Sequence, residues 1–176
     1  HSFERSVIRS HKRFSYEEAQ QILDGRLASP FSGVLRDMRT LSKNLIAARK
    51  KRGAVDFDSL EIKVVLDEQG KPINLQERER LDTHRLIEEF MLLPNVTVAR
   101  FVGQELAKRL GEQPPFVYRV HDKPTRADVE ELMTLTQVFG VEVQPAKRVT
   151  PHYFQRLSEQ FQAHPAATVL QNALLR

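Results

Sequence analysis

The 176-residue sequence has no cysteine and no tryptophan. Without thiols there can be no disulfide, zinc-thiolate centre or cysteine nucleophile; a reducing compartment suits such a chain, and a cytoplasmic location is the expectation. Long apolar runs are lacking as well. They reach no further than the four residues Phe90 to Leu93 before Pro94 intervenes, far short of the ~20 needed to span a bilayer. The first twenty residues are rich in charge and hold no apolar h-region, so no secretory leader and no membrane partner are expected. Internal repeats and low-complexity tracts are absent too. What is present is ordinary for a globular chain, with 40% hydrophobic and 28% charged residues, and a domain of this length can bury roughly two thirds of its unfolded surface.

The charge is unevenly spread. The net +4 comes from 27 Lys and Arg against 23 Asp and Glu, yet Arg36 to Arg52 alone holds seven cations and one acid, a local +6 that leaves −2 for the remainder. In the same stretch Leu35, Met38, Leu41, Leu45 and Ala48 recur at three- and four-residue spacing, which predicts a helix from about Phe31 to Lys51 with Gly53 as its stop. Two readings stand. The cations can be a solvated face that suits the negative end of the helix dipole, or a surface that tracks phosphates and releases counterions.

The remaining pattern places the other elements. Phe3, Val7 and Ile8 predict a strand over Ser2 to Arg9, and Ser15 with Glu18 has capping-box spacing for a helix to Leu23. Ala54 to Leu66 and Pro72 to Leu75 flank Asp67-Glu68-Gln69-Gly70 as a hairpin. A long helix is expected from Arg78 to Leu110, kinked by Pro94 near Phe90 to Leu93 and too apolar at its centre for a lone surface helix. Phe116 to Val120 reads as a short strand, and three helices close the chain: Arg126 to Phe139, Pro151 to Gln162 and Ala166 to Leu175. The expected class is α/β (α+β), helix-rich, with too few strands for a complete sheet.

Few residues offer chemistry. His84 and Glu88 are an i, i+4 pair that could put two metal ligands on one helix face, but a third ligand at readable spacing is missing, so a hydrogen-bonded imidazole is the plainer reading. Glu88 sits in apolar surroundings where a carboxylate is costly unless it is paired or reaches a solvent-filled cleft, and a buried structural carboxylate paired to an Arg is the plainer reading. Glu89 is rotated about 100° from it and is expected to meet a structural partner. Asp56 and Asp58 would share one strand face and Phe57 the other. Two acids on a lone strand are too few for a two-metal site, whereas Phe57 could be a core side chain or a platform for a nucleobase.

Several strings together resemble the middle of the RNB catalytic domain of the ribonuclease II and ribonuclease R exoribonucleases, nearer the latter. They are Ser6-Val7-Ile8-Arg9-Ser10 with Tyr16-Glu17-Glu18-Ala19-Gln20, Gly53-Ala54-Val55-Asp56-Phe57-Asp58, and Val65-Leu66-Asp67-Glu68 with Gly70-Lys71-Pro72. His84-Arg85-Leu86-Ile87-Glu88-Glu89-Phe90-Met91-Leu92-Leu93 with Asn95, then Tyr118-Arg119-Val120-His121-Asp122 with Pro124, and finally Asn172-Ala173-Leu174-Leu175-Arg176 complete a collinear set. The resemblance implies a processive, magnesium-dependent 3′→5′ exoribonuclease that threads single-stranded RNA, not DNA, through a channel, uses two metal ions and releases nucleoside monophosphates. Tyr16 and Glu88 then resemble the tyrosine and glutamate at the 3′-terminal nucleotide, where the 2′-hydroxyl marks RNA. Phe57 resembles the aromatic that stacks on a terminal base, and the basic helix, with Lys50, Lys51 and Arg52 at its end, would lie near RNA phosphates.

The same resemblance implies that residues 1–176 are an internal portion of a single RNB domain whose main partner is the remainder of the parent polypeptide. The family's aspartate cluster belongs upstream, its Ser-Pro-Ile-Arg segment downstream, and its OB-fold domains on either side; no Asp-x-Asp-Asp occurs here. The Mg2+ ligands are therefore expected outside this segment, and the isolated fragment is expected to be inactive. A catalytically degenerate RNB-like module that binds RNA or a protein partner is the alternative reading.

Overall fold

A computed structural model of the chain describes residues 3–55, 61–144 and 149–175. The Ser15 hydroxyl accepts the Glu18 amide at 3.1 Å and starts α1 (Tyr16–Leu23), whose Ala19, Ile22 and Leu23 are buried. They pack on Leu35 of α2 (Ser32–Lys51), with Phe14 and Met38 closing a small apolar cluster. Arg39 of α2 donates to the Leu23 carbonyl at 3.3 Å and ties the two helices together. At the end of α2 the chain turns through Gly53, with φ +90°; a Cβ there would lie 2.9 Å from both the His152 backbone nitrogen and Pro151 Cβ. Gly53→Ala is expected to cost at least about 1 kcal/mol, since alanine suits neither the left-handed backbone nor the close approach. Urea unfolding checks this, and an unchanged midpoint would contradict it.

The hairpin consists of β1 (Glu61–Leu66) and β2 (Pro72–Arg78), antiparallel, with Val64 opposite Leu75 and a register irregularity after Val65. Asp67 shapes the turn by accepting the Gln69 and Lys71 amides at 2.9 and 2.8 Å, and Gly70 takes the positive φ of +78° that glycine tolerates. The first half of the expected hairpin is not strand: Ala54 and Val55 lie outside the ladder, and residues 56–60 are outside the described residues.

The long helix, α3 (Asp82–Arg100), begins later than expected because Arg78 belongs to β2. It continues through Pro94 and then widens into a π-helical segment (Phe101–Leu106) before α4 (Ala107–Leu110). Neither Phe3 to Arg9 nor Phe116 to Val120 forms a strand, which corrects both expectations. Extended stretches become strands only against a ladder partner, and here each stretch touches the π-helical segment through one aromatic side chain instead. The Phe3 ring rests 4.5 Å from that of Phe101, and a Cβ on Gly103 would lie 2.8 Å from the Tyr118 hydroxyl.

The C-terminal part is a cluster of α5 (Arg126–Val138), α6 (Pro151–Gln162) and α7 (Ala167–Leu174). Its core is Leu132, Val141, Tyr153, Leu157, Phe161 and Leu170. The capping box of α5 is complete: the Thr125 amide donates to Asp128 at 2.7 Å, which with the Thr125 hydroxyl holds that carboxyl below its ordinary range. The architecture is thus the α+β class expected, helix-rich with one two-stranded sheet among the described residues. Large apolar side chains stay exposed in several places, among them Ile62, Val64, Ile73 and Leu75 on the hairpin and Met91, Leu93 and Val96 on α3. No helix among the described residues is long and apolar enough to cross a membrane.

Candidate functional site

Two of the candidate residues named from the sequence, Tyr16 and Glu88, meet at the N-terminal half of α3. Thr83 is buried, and its hydroxyl donates to the Tyr16 carbonyl at 3.0 Å while its amide donates to Gln20 Oε1 at 3.2 Å. This fixes the first turn of α1 against the first turn of α3. The Tyr16 ring consequently stacks on the His84 imidazole, with centroids 4.2 Å apart and planes 24° from parallel. His84 Nδ1 in turn accepts the Leu81 amide at 3.1 Å, which orients the ring and places the proton of the neutral form on Nε2. His84 therefore serves as the platform for Tyr16.

Glu88 follows His84 by one turn on the same stripe of α3, so Tyr16 and Glu88 are brought to one helix face. The Glu88 carboxylate is held from two sides: Arg80 pairs with one oxygen, and Arg49 of α2 lies 3.9 Å from the other. The Glu88 side chain keeps 40% of its surface exposed. It is a paired carboxylate at an accessible surface, as its cost in apolar surroundings requires. Glu89 is the buried member, 4% exposed, and receives Arg49 at 2.7 Å. One guanidinium thus bridges α2 and α3 and touches both acids.

Tyr16 is half-exposed at the edge of a cavity of about 810 Å³ between α1, α2 and α3, lined by Phe14, Phe31, Met38 and Ile87 among others. An aromatic rim over an apolar hollow can take a planar apolar face, while Glu88 can accept hydrogen bonds from hydroxyls.

The other candidates lie apart or out of view. Lys50, Lys51 and Arg52 occupy the end of α2, where the Lys50 carbonyl accepts Gln155 of α6 at 3.2 Å. Phe57, with Asp56 and Asp58, lies outside the described residues. Among the described residues no three His, Asp or Glu side chains come together as metal ligands. His84 and Glu88 therefore do not fit a metal centre by themselves. The sequence allowed an arginine partner for Glu88 but did not identify Arg49 and Arg80. Arg49 was visible only as one more cation of the basic helix, and nothing in a linear pattern reports its contact with Glu89, 40 positions away, or with Glu88 beside it.

Residues 1–176 match the RNB domain family. The chain is 34% identical to ribonuclease R of Thermotoga maritima over 176 residues, covering 97% of this chain and 24% of that protein. It is 35% identical to ribonuclease R of Aquifex aeolicus, with the same 97% and 24% coverage. The structure of Mycoplasma genitalium RNase R in complex with ribose-methylated single-stranded RNA superposes with a TM-score of 0.79 at 24% identity, over 93% of this chain and 25% of that one. The chain thus spans about a quarter of the length of the relatives it matches.

Proposed function

We propose that this chain, which belongs to the RNB family, is one wall of the RNA channel of a processive 3′→5′ exoribonuclease that hydrolyses single-stranded RNA to nucleoside monophosphates. The observation that carries the reading is the shared face of Tyr16 and Glu88, joined by the His84 stack and braced by Arg49 and Arg80. Such a face suits a terminal nucleotide. The tyrosine ring offers a π surface beside an apolar hollow, and the carboxylate accepts from the 2′- and 3′-hydroxyls of ribose. A deoxyribose end would leave Glu88 without one of those donors, which makes RNA the favoured polymer. That the relatives are ribonucleases R, and that a structure of similar fold carries RNA, supports the same substrate.

In this reading Phe57 stacks on a base near the 3′ end, and Lys50, Lys51 and Arg52 attract backbone phosphates. Two Mg2+ ions, held by residues other than those of this segment, would supply the activated water and offset phosphate charge. What this chain does is bind and orient: Glu88 fixes the ribose, Tyr16 confines the nucleotide, and the arginine pairs keep Glu88 from swinging away. The exposed apolar side chains of the hairpin and of Met91 to Val96 support a place inside a larger domain, since surfaces of this kind are normally covered.

The test uses a 5′-labelled single-stranded RNA with the whole protein in magnesium. Stepwise shortening from the 3′ end with release of nucleoside monophosphates is expected, and internal cleavage or intact RNA would overturn the reading. With Phe57→Ala the final undegraded product is expected to change in length; the same end product would remove the stacking role.

A further inference from the structure

We propose that His84 is a specificity-determining positioning residue: it fixes the spacing of Tyr16 and Glu88 that admits a terminal ribose, a role that rests on the exoribonuclease reading above. Two bonds tie His84 to the residue that opens α3. Its own amide donates to the Leu81 carbonyl at 3.1 Å, and Nδ1 accepts the Leu81 amide, also at 3.1 Å. Together they hold the imidazole in one orientation in the first turn of the helix. Nε2 is buried and Nδ1 is engaged, so the ring turns no polar edge to a ligand. What it offers is a face, and Tyr16 lies on it.

The backbone does not place the Tyr16 ring unaided. Thr83 secures the Tyr16 carbonyl, yet the side chain still turns about two torsions of its own, and 37% of the residue is exposed. The imidazole removes that freedom on one side. Its centroid lies 4.2 Å from that of Tyr16, a contact that leaves no room for the phenol to sink toward α3. Glu88 follows on the same helix, and side chains four apart are about 5–6 Å from each other at Cβ. His84 is therefore a spacer, one ring thick, between the side chain that confines the nucleotide and the helix face that carries the ribose acceptor. An error of about 1 Å at such a place can cost roughly a hundredfold in rate.

The ring and the acceptor can be removed separately. At the same helical position of α5, Asp128 accepts the Thr125 amide at 2.7 Å, so a side chain of that length reaches the cap. His84→Asn keeps such an acceptor and deletes the platform. His84→Phe keeps a planar ring and deletes the acceptor. A role confined to starting α3 makes the Phe variant the damaged one; a role in placing Tyr16 makes it the Asn variant.

The experiment measures, in chelator, the affinity of the whole protein for two single-stranded RNAs that end in ribose or in 2′-deoxyribose, with urea unfolding on the same preparations. His84→Asn is expected to keep the parental urea midpoint and to narrow the preference for the ribose end roughly tenfold, the scale of one hydrogen bond to a charged group. His84→Phe is expected to keep most of the preference at a lower midpoint. In a Tyr16→Ala background the Asn substitution should change nothing further, since His84 acts only through that ring. Parental preference in the Asn variant, a preference lost equally in the Asn and Phe variants, or an Asn effect undiminished without Tyr16 overturns the proposal. So does a parent that binds both ends alike, or an Asn variant that unfolds well below the parental midpoint. Adding magnesium separates the two claims. The expected pattern of end preference without 3′-end shortening keeps the His84 role and removes the exonuclease reading; shortening by a parent whose His84→Asn variant reads the ends as sharply does the reverse.

Discussion

Replacing Glu88 by alanine is expected to slow 3′-end hydrolysis by the whole protein roughly ten- to a hundredfold, the rate equivalent of losing a charged hydrogen bond of about 1.5–3 kcal/mol. The loss should fall on the rate more than on the fold. Glu88 keeps 40% of its side-chain surface exposed, and its partners Arg80 and Arg49 are themselves 31% and 26% exposed. Pairs of this kind contribute about 0–1 kcal/mol to stability. Single-turnover cleavage and urea unfolding on the same preparation decide the matter. An unchanged rate with a large drop in stability would make Glu88 a structural carboxylate.

The second large effect is on stability. Arg49→Ala removes the guanidinium from Glu89, which is only 4% exposed, and leaves a buried carboxylate facing nothing at 2.7 Å. Breaking a buried pair from one side costs about 3–5 kcal/mol, and the partial exposure of Arg49 favours the lower end of that range. Arg49→Met combined with Glu89→Leu should recover much of the loss, because an apolar pair of similar volume needs no charge compensation. Urea unfolding of the single and double variants checks both statements. A single variant as stable as the parent would mean that the contact between α2 and α3 does not depend on this pair.

The two arginines show where reading the sequence succeeds and where it stops. Ser15 with Glu18, the three- and four-residue apolar spacing of α2, and Gly70 in its turn are local signals, and the structure contains the cap, the helix and the hairpin they predict. The face carrying Glu88 was legible because His84 and Glu88 are one turn apart on one helix. Its bracing was not. Arg49 reaches Glu89 across 40 residues and looked in the sequence like any other cation of a basic stretch. The two false strands share a cause. Alternating apolar residues describe an extended chain, and whether it joins a sheet depends on a partner that no local pattern supplies. Phe3 and Tyr118 found aromatic and glycine contacts on the π-helical segment instead, and that segment had no signature of its own in the sequence.

The most direct test of the account compares cleavage of two RNAs that differ only in the sugar at the 3′ terminus, ribose or 2′-deoxyribose, by the parent protein and by its Glu88→Ala variant. The account predicts that the parent prefers the ribose end and that the variant, slower on both, loses the preference. A variant that discriminates as sharply as the parent would show that the terminal ribose is not read by Glu88, and the role assigned to the face it shares with Tyr16 would be wrong.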